Sequence, residues 1–181
     1  MSKLMVTGSA VTGGSRRICL SIPTYGAVSP VFSWSLLKAQ KALMASEIEY
    51  DIMMLSGHCH VDDARNCLVR AFLASECTEM MFIDADIGFS TEAFLSLISH
   101  DRDIVAGIYP LKQDNEDFPC NTLPGEIWAD KDGLIEVLQV PAGFLKIKRH
   151  VLVALASKAQ SYMEKPADED VTPLLFERTM E

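Results

Sequence analysis

The chain has no Cys-x-x-Cys pair, no excess of positive charge, no apolar run long enough to cross a bilayer, and no internal repeat or low-complexity tract. Each absence removes or disfavours a class of protein. The five cysteines, Cys19, Cys59, Cys67, Cys77 and Cys120, are odd in number and widely spaced, which argues against a disulfide scaffold and for reduced, mostly buried thiols. Sixteen Lys and Arg against 25 Asp and Glu give a net charge of −9, which disfavours a non-specific nucleic-acid binder, since such a protein needs a basic surface to displace counterions. Without a stretch of about 20 apolar residues there is no membrane-spanning helix. The opening MSKLMVTGSAVTGGSRR lacks the continuous apolar core of a secretory signal, so a cytoplasmic location is expected.

What is present is the composition of an ordinary globular protein, 49% hydrophobic and 23% charged over 181 residues, enough for one domain with a substantial core. Residues 1–15 read as a mobile leader, 16–163 as the domain, and 164–181, acidic and broken by proline, as a tail with no structure to assign.

Within the domain, apolar runs and helical periodicities alternate. ICLSIPT (Ile18 to Thr24) reads as a strand stopped by Pro23 and the turn at Tyr25-Gly26. Ser29-Pro30 supplies a cap and a first-turn proline for the helix that follows, with Trp34, Leu37 and Leu43 expected against the sheet. EYDIMML is a second strand. DDARNCLVRAFLASE is a second helix with Asp62 as the candidate cap, and its first turn should open at the sheet edge where strands end. That edge brings Arg65 and Asn66 toward any ligand there. DIVAGIYP is a further strand, KQDNEDFPCNTLPGE a long loop, EIWADKDGLIEVLQV a hairpin turned at Asp132-Gly133, FLKIKR a strand and HVLVALASKAQSYM a short helix.

The chemistry concentrates in MFIDADIGFS, Met81 to Ser90. A buried strand runs into Asp84-Ala85-Asp86, and strand alternation sends the two carboxylates to the same side, an oxygen cluster suited to a hard divalent cation. Two acids after a strand also describe a solvated turn. The flanks favour the cation, because two like charges without Gly, Pro or Asn directly after the strand call for a counter-ion. His58-Cys59-His60 offers three ligand types, but alternation splits the cysteine from the histidines and no second pair follows, so a turn is the better reading than a zinc site.

The ordered set SIPTYG, ARNCLV, MFIDADIGF, DIVAGIYPLK and PAGFLKIKR resembles the GT-A type glycosyltransferases, the nucleotide-diphospho-sugar transferases, most closely their compact phage and large-virus versions, over roughly Arg17 to Leu155. The resemblance implies an α/β, Rossmann-like GT-A fold, a mixed, mostly parallel sheet flanked by helices. It implies a nucleoside-diphosphate sugar as donor, UDP favoured, with Mn²⁺ or Mg²⁺ as cofactor and a glycan, lipid or protein acceptor that the sequence does not specify. For a viral protein, the location would be the host cytoplasm.

Residue by residue, the resemblance puts Pro23, Thr24 and Tyr25 along the nucleoside pocket, with Tyr25 on the base, and Arg65 and Asn66 at the nucleotide. Asp84 would approach ribose or sugar hydroxyls, and both Asp84 and Asp86 belong to the metal site, Asp86 binding the ion that bridges the diphosphate. Tyr109, Lys112 and Gly143 would lie around the transferred sugar or the acceptor.

The later part of the family pattern, a Glu-Asp pair opening a helix and a histidine completing the metal site, has no match here: Glu169-Asp170 reads as tail and no histidine follows His150. No general base is identified. A truncated or non-catalytic nucleotide-sugar-binding module is therefore the first alternative. A magnesium-dependent Asp-x-Asp phosphatase is the second, although its motif would sit on the first strand and Gly88 stands where it carries Thr or Val.

Overall fold

The computed structural model describes residues 2–8, 16–46, 48–110, 117–163 and 171–177. In chain order the elements are β1 (Lys3–Gly8), β2 (Arg17–Thr24), α1 (Pro30–Ala45), β3 (Glu49–Ser56), α2 (Val61–Leu73), β4 (Glu79–Ile83) and α3 (Thr91–Ser99). There follow β5 (Ile104–Ala106), β6 (Asn121–Thr122), β7 (Val137–Gln139), β8 (Phe144–Lys148), α4 (Arg149–Ala156), β9 (Ser161–Tyr162) and β10 (Thr172–Pro173). Six strands form one sheet in the order β1-β3-β2-β4-β8-β5. β3, β2 and β4 are parallel, β8 runs antiparallel between β4 and β5, and β1 runs antiparallel along β3. The protein is thus α/β with a mixed sheet flanked by helices, an arrangement compatible with a Rossmann-like fold.

The continuous apolar run of β2 is what a central strand covered on both faces requires. Ile18, Leu20 and Ile22 point to one side, where α1 and α3 supply Phe32, Ala39, Leu43, Phe94 and Ile98. Cys19 points to the other side, where α2 and α4 supply Leu68, Val69, Phe72 and Leu152. On β4 the same alternation assigns Met81 and Ile83 to the first core and Met80 and Phe82 to the second. Asp84 continues the second set and so emerges on the α2 side.

Helix boundaries follow local chemistry. The Ser29 side chain accepts from Phe32 N, with Pro30 at the first helical position, and the Ser90 side chain accepts from Ala93 N to open α3. At α2 the cap position is His60 rather than Asp62, with no side-chain cap bond, and Asp62 and Asp63 lie in the first turn. Their charges still favour the positive end of the helix dipole.

The phase of α1 differs from the sequence expectation. Leu43 is buried, but Trp34 and Leu37 are 65% and 59% exposed. This helix carries apolar residues on every side, so its periodicity leaves the phase open. The phase is set instead by Phe32 and Leu43 in the core and by Ser35, whose hydroxyl receives Phe89 N at 3.0 Å.

Two stretches outside the expected domain have regular structure. Lys3–Gly8, within the stretch read as a mobile leader, is an exposed edge strand paired with β3 from Lys3↔Ser56 to Gly8↔Asp51. In the stretch read as a tail, Thr172–Pro173 pairs with Ser161–Tyr162, and Leu175 and Phe176 pack against the α2-side core. The expected hairpin is tight at its turn. Gly133 adopts φ 78°, and Asp130 Oδ1 accepts from Asp132 N and Leu134 N; an antiparallel bridge joins Ala129 to Ile135, and further pairing follows between β6 and β7.

At the sheet edge opposite the carboxyl ends of β2, β3 and β4, a polar junction locks the fold. The Arg149 guanidinium donates to the carbonyls of Phe72, Leu73, Ser75 and Cys77 and lies 4.6 Å from the Phe72 ring centroid. It thereby bonds carbonyls of the last turn of α2 and of the segment after it, and fastens α2 to the start of α4.

Candidate functional site

β2 leads through α1 to β3 on one side of it, and β3 leads through α2 back to β4 on the other side. The connections leaving β2 and β4 therefore diverge at their carboxyl ends, the place where open α/β sheets take ligands. Asp84 and Asp86 stand there, directly after β4.

The Asp84 loop is held by backbone on three sides. Asp84 N donates to Gly143 O at 2.9 Å, Ile87 N to Asp84 O at 3.1 Å, and Ser29 N to Ala85 O at 2.9 Å. Gly88 lies so close to Val31 of α1 that a Cβ there would come within 2.3 Å of its Cγ1. The carboxylates thus sit on a braced turn, a rigid support of the kind a ligand site needs.

Arg65, in the first half of α2, reaches this turn. Its Nη2 donates to Asp84 Oδ1 at 2.9 Å and Oδ2 at 3.1 Å, with the two side chains 12% and 27% exposed. Arg65 Nε is buried and, among the described residues, has no hydrogen-bond acceptor. Tyr109 and Gly143 complete the cluster: a Cβ added to Gly143 would lie 2.2 Å from Tyr109 Oη, 2.6 Å from Asp84 Oδ2 and 2.8 Å from Ile87 Cδ1. Burial raises the Tyr109 phenol above its ordinary pKa, and the Asp84 charge beside it raises it further, so Tyr109 stays a neutral donor at physiological pH.

The structure therefore brings together Arg65, Asp84, Tyr109 and Gly143, contributed by α2, the end of β4, the segment after β5 and the entry to β8. Asp86 is exposed two residues beyond Asp84. Tyr25 is 77% exposed at the end of β2. Pro23 and Thr24 are buried strand residues, so of the expected nucleoside-pocket trio only Tyr25 presents its side chain to solvent. Lys112 lies outside the described residues.

Asn66 departs from its expected place at the ligand. It is fully buried, and its amide is committed to the backbone of Leu175 and Phe176. A helix turns by about 100° per residue, so the neighbour of a site-facing Arg65 points elsewhere. Phe176 is the residue the sequence reading missed, with its ring centroid 5.9 Å from the Arg65 guanidinium carbon. The signal for it was the apolar run Leu174-Leu175-Phe176 inside an acidic stretch.

A cavity of about 530 Å³ adjoins the cluster, running from Ile87 and Tyr109 between α3 and the Asp132–Leu134 turn, with Phe89, Val105 and Phe144 among its walls. A larger one, about 710 Å³, lies at the opposite edge among Arg16, Glu79, Lys148, Arg149 and His150. There each basic group is already matched by an acid or by carbonyls. The smaller cavity is the one next to reactive groups.

Among the described residues no three His, Cys, Asp or Glu side chains gather as a ready metal cage. The donors at the end of β4 nonetheless suit one kind of ion. Mg²⁺ and similar hard cations are commonly held by one or two carboxylates, with the remaining ligands from phosphate and water. The two carboxylates at this edge are Asp84, both of whose oxygens are engaged by Arg65, and Asp86, exposed two residues on. His58, Cys59 and His60 lie in the loop between β3 and α2, as the turn reading expects. In comparisons with known proteins, the chain matches no family model and no curated protein.

Proposed function

We propose that the protein is a metal-dependent glycosyltransferase of the GT-A type, using a nucleoside-diphosphate sugar, UDP-sugar in the first instance, as donor. One observation carries the reading: Asp84, Arg65, Tyr109 and Gly143, quoted from four separate motifs of the chain, converge at the carboxyl edge beside the β2–β4 divergence. That edge is where open α/β sheets take ligands, and the mixed sheet is compatible with the fold the resemblance implies.

Each side chain has a task in that reading. Asp86, with Asp84 beside it, would hold Mn²⁺ or Mg²⁺, which when bound neutralises the charge that builds on a diphosphate leaving group. Arg65 offers its guanidinium charge to an anionic ligand, while its grip fixes the Asp84 carboxylate in one orientation. Asp84 so held accepts hydrogen bonds from ribose or sugar hydroxyls. Tyr109 donates from its neutral phenol, and Gly143, where even a methyl would meet Tyr109 Oη and Asp84 Oδ2, lets the backbone entering β8 close on the pair. Tyr25, exposed at the end of β2, can stack on the base.

The test is a thermal-shift screen of nucleoside diphosphates and their sugars with and without Mn²⁺, because a ligand that binds only the folded state raises Tm by mass action. The reading expects a shift for UDP or a UDP-sugar that depends on the metal. No shift with any of them would contradict it. Release of free sugar from the donor then separates a transferase from a module that only binds.

A further inference from the structure

Arg65 is held from behind by a part of the chain more than a hundred residues away in sequence. Asn66, the next residue on α2, is fully buried, and its Oδ1 accepts from Leu175 N at 3.0 Å and Phe176 N at 2.9 Å while its Nδ2 donates to Phe176 O at 3.0 Å. The same segment is fixed upstream by the β9–β10 pairing and by Leu174 N on Gln160 O at 2.8 Å. Its backbone is therefore set before its side chains are considered. Phe176 is delivered edge-on to Phe82, centroids 5.4 Å apart at 82°, and against the Arg65 guanidinium.

An arginine on a helix surface ordinarily samples many rotamers, and ordering it on binding costs affinity. Here an aromatic ring lies against the guanidinium, the Nε–H is sealed from solvent, and Nη2 is left on Asp84. We infer that Val171–Glu177 is a strap that presets Arg65, with Asn66 as its lock and Phe176 as its contact, so that both are positioning residues for the anion the Arg65–Asp84 pair receives. That the anion is a nucleoside diphosphate rests on the function proposed above. The strap itself does not.

The test uses the full-length protein and the variants Phe176→Ala, Phe176→Leu and Phe176→Tyr, each checked for native far-UV circular dichroism. Solvent exchange of the Arg65 Nε–H, assigned by its loss in Arg65→Lys, is measured by ¹⁵N NMR, and UDP affinity in Mn²⁺ by calorimetry. Phe176→Ala is expected to speed the exchange at least tenfold and weaken UDP at least tenfold. Phe176→Tyr, which keeps the ring, should stay within twofold of the parent on both. Phe176→Leu, which keeps apolar bulk without the ring, should follow Phe176→Ala, and it decides the matter if the alanine variant fails to fold. Unchanged exchange overturns the strap whether or not nucleotide binds. Faster exchange with unchanged UDP affinity overturns the positioning role. Faster exchange in a protein whose parent binds no nucleotide upholds the strap and removes the nucleotide reading alone.

Discussion

Gly143→Ala probes the site without replacing any charged group. Gly143 does not adopt positive φ, so alanine is acceptable to the backbone and the cost in the folded state comes from the added methyl. That methyl would meet Tyr109 Oη at 2.2 Å, Asp84 Oδ2 at 2.6 Å and Ile87 Cδ1 at 2.8 Å, all closer than carbon tolerates. Overpacking of this kind costs about 1–3 kcal/mol. Replacing glycine returns about 0.4–1 kcal/mol by restricting the unfolded chain. At the midpoints of these ranges the net expectation is destabilisation by about 1.3 kcal/mol, and with about 2–4 °C lost per kcal/mol for a domain of this size, a Tm lower by about 3–5 °C in calorimetry. Tyr109→Phe removes the atom in closest conflict, so the double variant should be less destabilised than the sum of the single ones by at least about 0.5 kcal/mol. A Gly143→Ala protein as stable as the parent, or strict additivity with Tyr109→Phe, would refute the placement of these residues against one another.

Arg149→Met keeps the apolar stem but leaves the carbonyls of Phe72, Leu73, Ser75 and Cys77 without their shared donor, and urea unfolding should show a loss of at least about 3 kcal/mol. A loss below 1 kcal/mol would deny the clamp. On α1, Leu43→Ala should cost about 2–5 kcal/mol while Trp34→Ser stays within about 0.5 kcal/mol, and equal losses would mean that the helix phase is wrong. Burial pushes the Asp51 carboxyl up, but bonds from Arg17 and the Cys77 thiol outweigh it and hold the group below its ordinary pKa. A depressed carboxylate stabilises the fold above its unfolded pKa, and that stability is lost as pH falls through the folded value. Asp51→Asn should therefore be less stable at pH 7 and lose less on going from about pH 4 to about pH 2, with identical slopes in parent and variant counting against the assignment.

Much of the fold was legible because its signals are local. The buried run of β2, the Ser29-Pro30 and Ser90 starts and the strand ending at Ile83 each depend on residues within a few positions. The chain path placed Arg65 at the edge where Asp84 stands, whereas alternation does not extend to Asp86, because β4 ends at Ile83 and the chain turns at Ala85 and Asp86.

What was not legible depends on distant partners. Asn66 looks like any polar helix residue until Leu175 and Phe176 arrive from the far end of the chain. β1 has no buried face, so it carries no hydrophobic alternation, and its order comes from the open edge of β3. The β10 segment sits within acidic, proline-containing sequence that reads as unstructured, although Thr172 is fully buried. Trp34 and Leu37 misled because an all-round apolar helix does not declare which side faces inward.

The most direct test of the central claim is calorimetric titration of UDP into the parent, Asp86→Ala and Arg65→Ala proteins, each with and without Mn²⁺. If the carboxyl edge of β4 is a metal-and-diphosphate site, Mn²⁺ strengthens UDP binding to the parent at least tenfold, Asp86→Ala removes most of that gain, and Arg65→Ala weakens binding with the fold intact. Equal UDP affinity with and without Mn²⁺ in the parent would contradict the account.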